Sequence, residues 1–147
     1  MKLFVILFLL LQCITGTVIK VADGDTVTLL TADSTQVRVR LDGIDCPEKA
    51  QDYGAKAKQF VSDLCFGREV VVDVKGTDRY QRTLGVVWAE NININESLLR
   101  NGFAWHYKQF NSDTRLALLE KSAQSDSLNI WSDKSPIPPW EFRKKKK

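Results

Sequence analysis

The sequence predicts a mainly β fold with helices, an α+β domain in which five short strands form a small closed or nearly closed barrel. Three observations carry this expectation. β-branched runs at 17 to 22, 26 to 31 and 36 to 41 are broken only by the turn segments DGD and ADST, the pattern of an antiparallel meander. Two more runs, REVVVDVKG and RTLGVVWAE, supply strands at 68 to 75 and 82 to 89. Between and after these runs, three segments switch to helical spacing.

The first helical segment, YGAKAKQFVSDLCFG, places Ala57, Phe60, Val61 and Leu64 on one face and ends on Gly67, a C-terminal stop. In NINESLLRNG, Leu98 and Leu99 point inward and Gly102 ends the helix. The third segment, NSDTRLALLEKSAQSDS, starts on Ser112 or Asp113 as N-cap and buries Leu116, Leu119 and Ala123. No repeat or long linker interrupts the order, so residues 17 to 143 read as one domain with a short basic tail, 144 to 147.

The first sixteen residues, MKLFVILFLLLQCITG, read as an export signal: Lys2, then an apolar run from Leu3 to Leu11. That run is shorter than the roughly 20 residues a membrane helix needs. LLQC, ending at Cys13, resembles a lipoprotein cleavage site, although Gln12 stands where a small residue is usual; a simple cut near Gly16 competes with it. The expectation is an exported chain, secreted, periplasmic or lipid-anchored at the cell envelope, touching membrane only through that signal or anchor. In such a compartment Cys46 and Cys65 can pair, a question that geometry decides.

The formal charge of +3 does not describe the folded body. Lys2 leaves with the signal, and the tail EFRKKKK carries five positive charges against Glu141, so the body is about −2. A basic tail adds non-specific attraction to a polyanion. Specific recognition of phosphates must therefore come from a few placed arginines.

In VRVRL, alternation sends Val37, Val39 and Leu41 to one face and Arg38 and Arg40 to the other. For Arg38 a solvated outer face is explanation enough. Arg40 stands just before DGIDCPE, where Pro47 constrains the backbone and keeps Asp45 and Glu48 close together. Two carboxylates so placed repel, and a divalent cation or a bound arginine relieves the repulsion.

DGDT offers a further acid. A hairpin turn accounts for Asp23 and Gly24, but Asp25 stands where a better strand former is expected. In a three-stranded meander the start of the second strand can lie beside the end of the third, which brings Asp25 near Asp45. Hard oxygen donors suit Ca²⁺ or Mg²⁺, and no Cys/His spacing argues for zinc. Arg82, at the start of the fifth strand, is a candidate second cation. His106, the single histidine, reads as a surface or packing residue.

DGDT, RVRLDGIDCPE, YG, DRYQR, NESLLRNGFAW, LNIW and PPWEFR occur in this order and resemble the staphylococcal nuclease, or thermonuclease, family over about 17 to 143. The resemblance implies a five-stranded OB-fold barrel with three helices and a Ca²⁺-dependent endonuclease hydrolysing DNA and RNA. It also implies a monomer with no stable protein partner. It places the metal on Asp25, Asp45 and the backbone carbonyl of Cys46, and catalysis on Arg40, Glu48 and Arg82. Arg79, Tyr80 and Tyr107 match positions lining the nucleotide pocket.

The chain departs from the family pattern at three places. Cys46 replaces the usual threonine or alanine, Gln81 replaces the common glycine of Y-G-R, and Cys65 sits at an apolar helix position. A loop that needs a positive φ at Gln81 would strain a non-glycine residue. Two competing expectations remain: a catalytically inactive OB-fold module that only binds nucleic acid, and a surface lipoprotein whose tail binds a partner. Acids beside an anionic ligand favour the enzyme, because a pure binder has no use for them.

Overall fold

The computed structural model describes residues 12–146; the apolar run 3–11, on which the export expectation rests, lies outside the described residues. The three-stranded meander forms as the turn chemistry predicts. Strands β1 (Cys13–Asp23), β2 (Thr26–Leu30) and β3 (Gln36–Leu41) pair antiparallel in sequence. A two-residue strand β4 (Ile44–Asp45) follows, then helix α1 (Gly54–Cys65).

Strand β5 (Glu69–Thr77) pairs with β1, and β6 (Thr83–Ala89) pairs with β5. A parallel pairing of β3 with β6, Val39 opposite Thr83 and Leu41 opposite Gly85, closes the five strands into a barrel. Closure removes exposed strand edges, the arrangement of an OB-fold.

The chain continues through β7 (Ile92–Asn93), α2 (Ile94–Arg100), β8 (Trp105–His106) and α3 (Thr114–Ser125). The α3 N-cap is Asp113, whose carboxylate accepts the Arg115 N–H at 2.8 Å. Gly67 and Gly102, the two stops read from the sequence, both adopt positive φ, 74° and 71°.

The barrel interior holds Val18, Val27, Leu29, Val39, Leu41, Val70, Val72 and Val87, all at or below 1% exposure. Ala57, Val61 and Cys65 of α1 and Leu98 and Leu99 of α2 extend this core. Each buried leucine contributes about 1.5–3 kcal/mol relative to an exposed one. Cys46 and Cys65 are both free and buried, and the Cys65 thiol donates to the Val61 carbonyl at 3.2 Å.

A fourth helix, α4 (Pro139–Lys144), adds to the three expected ones. It is only six residues long, too short for a periodic signal, although Pro139 opens it and Arg143 and Lys144 close it as helix ends prefer. Tertiary contacts hold it: the Trp140 ring lies parallel to Tyr107 at 5.5 Å and edge-on to Trp105 at 5.6 Å.

Candidate active site

The meander register brings the two aspartates together. Thr26 pairs with Arg40, and the Leu41 N–H donates to the Asp25 carbonyl at 2.8 Å, so Asp25 starts β2 beside the end of β3. Three residues beyond Leu41, β4 pairs with β8, Asp45 opposite Trp105. This pairing turns Asp45 back toward Asp25. Both acids are buried, Asp25 at 6% and Asp45 at 1% exposure.

Arg40 joins them. Its Nη1 donates to the carbonyls of Leu41 and Ile44 at 2.7 and 2.9 Å, while Nη2 lies 3.2 Å from Asp45 and 3.5 Å from Asp25. The Cys46 N–H donates to Asp25 Oδ2 at 2.7 Å and the Thr26 hydroxyl to Oδ1 at 3.2 Å. Gly24 permits this close approach, because a Cβ there would lie 2.9 Å from both the Cys46 Sγ and the Ala57 Cβ.

Glu48 sits on the loop before α1. Its N–H donates to the Gln51 side chain at 2.9 Å, and its carbonyl accepts the Gln51 N–H at 2.8 Å. Gly54 passes so close to that carbonyl that no Cβ would fit. The Glu48 carboxylate meets Arg143 of α4 at 2.7 Å, and the same guanidinium reaches Asp45 Oδ2 at 2.7 Å and Oδ1 at 3.3 Å.

Three carboxylates thus face two guanidinium groups, and Asp23 adds a fourth acid. Its Oδ1 accepts the Asp25 N–H at 3.1 Å. Burial, then the Asp25 carboxylate, push the Asp23 carboxyl up to about 7. Burial opposes ionisation of Asp25 as well, but Arg40, Asp23 and the Cys46 N–H together hold its carboxyl below the usual range. For Asp45, burial and the Asp25 charge push upward against the pull of Arg143 and Arg40. Burial of the Arg40 guanidinium is outweighed by Asp25 and Asp45, which keep it charged.

Arg82 is positioned differently. Its Nε donates to Asp78 Oδ2 at 2.8 Å, and its guanidinium lies 5.5 Å from the Tyr80 ring centre. Among the described residues it has no ion pair with Asp25, Asp45 or Glu48; its one such partner is Asp78. The DRYQR turn does need the backbone that glycine prefers, since Gln81 has φ 61°. Arg79 stacks 5.0 Å from Tyr80, which is 60% exposed. The Tyr107 N–H donates to the Gly43 carbonyl at 2.9 Å, and its ring packs on Trp140.

No group of three or more His, Cys, Asp or Glu side chains among the described residues meets as a ready-made metal cluster. Asp25 and Asp45 converge on one Arg40 nitrogen, however, and the donors are all oxygen. That set, with surplus negative charge, fits a hard divalent cation completed by backbone carbonyls and water. The Cys46 thiol, pushed well up by burial, is no metal ligand in this setting.

Sequence reasoning missed two participants. Asp23 was accounted for by its turn, and only its bond to Asp25 reveals it. Arg143 stands 98 residues from Asp45, and the arginine in PPWEFR was its one trace. His106 is a packing residue, buried at 3% with Nε2 2.8 Å from Asn111.

The family model described as Staphylococcal nuclease homologue matches residues 38–133. The chain is 42% identical over 130 residues to an uncharacterized endonuclease of Haemophilus influenzae, covering 88% of this chain and 73% of that protein. It is 41% identical over 132 residues to an uncharacterized endonuclease of Escherichia coli O157:H7, covering 89% and 86%. A micrococcal nuclease of Shigella flexneri is 39% identical over 143 residues, covering 90% and 82%.

Proposed function

The chain belongs to the staphylococcal nuclease family, and on that premise we propose that it is a Ca²⁺-dependent endonuclease hydrolysing phosphodiester bonds of DNA and RNA. The observation that carries this reading is the meeting of Asp25 and Asp45, from two strand ends, on the Arg40 guanidinium. Phosphodiester hydrolysis brings a nucleophile to an anionic centre that gains charge in the transition state. The site must therefore supply positive charge and a positioned base.

Asp25, Asp45 and the Cys46 carbonyl would hold the cation, which supplies Lewis-acid polarisation of the phosphate and orientation of a water. Glu48 accepts or orients that water's proton from a loop braced by Gln51. Arg40 gathers the acids and adds charge beside the phosphate. Arg82, its Nε steadied by Asp78, would supply the second positive charge to the phosphate oxygens. A preorganised donor of this type contributes about 3–4 kcal/mol, or roughly 10²–10³-fold in rate. Tyr80 and Arg79 supply a stacking surface for nucleotides, and Tyr107 the ring face that Trp140 does not cover.

Export fits the same reading, and the pairing of β1 bears on where the signal ends. A cut after Gly16 would remove Cys13–Gly16, which pair with Val70–Asp73 of β5. A cut before Cys13 leaves β1 whole and its exposed cysteine at the new terminus. This supports lipid attachment at Cys13, which the mass of the exported protein would reveal.

The activity is tested by digesting plasmid and single-stranded DNA and RNA with Ca²⁺ or with a chelator. The parent should cut only with Ca²⁺, and Glu48→Ala and Arg82→Ala should each lose at least about 10²-fold. Binding without cutting by the parent would identify an inactive nucleic-acid module instead.

A further inference from the structure

We propose that Arg143 is a built-in cation of the acid cleft that sets its affinity for divalent metal, guanidinium and metal competing for Asp45 while the same guanidinium holds Glu48. The inference rests on the metal reading of this cleft given above. Both Asp45 oxygens are already engaged: Oδ1 by Arg40 at 3.2 Å and Arg143 at 3.3 Å, Oδ2 by Arg143 at 2.7 Å. Glu48 Oε1 is also held by Arg143, at 2.7 Å. A cation entering at Asp45 meets the positive charge of the Arg143 guanidinium already bound there, which opposes its binding unless that group withdraws.

The two arginines are not equally free to yield. Arg40 is anchored by two backbone carbonyls, and its side chain is 12% exposed. The Arg143 side chain is 40% exposed, and the hydrogen bonds it makes among the described residues all go to Asp45 and Glu48. Rotation of Arg143 into water recovers its hydration and rotamer freedom.

Helix α4 does not depend on these ion pairs for docking. Trp140 packs on Tyr107 and Trp105, Pro139 is buried, and the Gln51 side chain donates to the Ile137 carbonyl at 3.0 Å. The helix can stay in place while the guanidinium leaves. Without metal, Arg143 relieves the repulsion between Asp45 and Glu48; with metal, that repulsion is relieved by a stronger charge.

The test is calorimetric titration of the full chain with CaCl₂, comparing the parent with Arg143→Gln and Arg143→Lys. Removing the competing charge should tighten Ca²⁺ binding about tenfold in Arg143→Gln, with Arg143→Lys in between. Arg143→Gln should melt below the parent in chelator, and the gap should narrow in excess Ca²⁺. Equal or weaker Ca²⁺ binding by Arg143→Gln would overturn the competition while leaving the metal site standing. No Ca²⁺ binding by parent or variants would remove the metal reading itself. Should the variants fail to fold, the Arg143 Nε–Hε resonance of the parent decides: it should shift on saturation with Ca²⁺, and an unmoved resonance overturns the proposal.

Discussion

Buried polar side chains on the same barrel are treated in opposite ways. Asn95, at the start of α2 and 2% exposed, is satisfied by backbone alone. Its Oδ1 accepts the Val87 N–H at 3.1 Å, and its Nδ2 donates to the carbonyls of Asp42 and Gly85 at 2.9 and 3.1 Å. Asp25 and Asp45 are as deeply buried but charged, and they share arginines that do not cancel all the negative charge around them. Asn95 serves the fold, tying α2 to β6 and to the turn after β3. The aspartates spend stability on a charge imbalance that a cation can correct. What separates a structural polar group from a functional one is whether its needs are met from within the chain.

The largest effect that sharpens this contrast falls on activity. Asp45→Asn should lower DNA cleavage by about 10²–10³-fold, while urea unfolding in chelator shifts by less than about 1 kcal/mol, because burial and the Asp25 charge already weigh against its ionised form. Asn95→Ala should do the reverse. It orphans the Val87 N–H and the Asp42 carbonyl, while the Gly85 carbonyl keeps the Asp42 N–H at 2.9 Å, at a cost of about 3 kcal/mol in urea unfolding, with cleavage per folded molecule reduced far less. If Asp45→Asn unfolds the protein as readily as Asn95→Ala, the contrast is broken.

Glu120 is the intermediate case. It is a buried acid, 3% exposed, whose Oε2 accepts the His106 N–H at 2.6 Å and whose Oε1 pairs with Lys108 at 3.1 Å. With its needs met it belongs with Asn95, so Glu120→Gln should cost about 1 kcal/mol in thermal unfolding and leave the Ca²⁺ dependence of cleavage unchanged. The smallest effect belongs to the Arg82 turn. Gln81→Gly removes left-handed strain of about 1 kcal/mol but frees the unfolded chain, leaving a net gain of a few tenths of a kcal/mol in stability. A loss of stability would mean that Gln81 contributes to the turn through its side chain.

Much of the barrel and half of the site are legible without the structure because they rest on short-range rules. Alternation along VRVRL separates Arg40 from the apolar face, and turn chemistry in DGD and ADST sets the meander that carries Asp25 to Asp45. The departure at Gln81 was also readable, since one residue type tolerates positive φ without strain and the chain lacks it there. The orientation of Arg82 was not: its strand start was clear, but whether its guanidinium turns to Asp78 or to the acids depends on side-chain packing.

The sequence by itself determined the five barrel strands, the three longer helices and most of the acids and arginines worth watching, because periodicity, capping and turn preferences act between residues a few positions apart. Only the tertiary structure decided that β3 closes on β6 in parallel, that Asn95 fastens the turn before Asp45, and that Arg143 crosses 98 residues of chain to occupy the acid cleft. Contacts of that kind depend on loop closure and on the register of a closed barrel. No local pattern records them, because the residues that meet have no influence on one another until the barrel has formed.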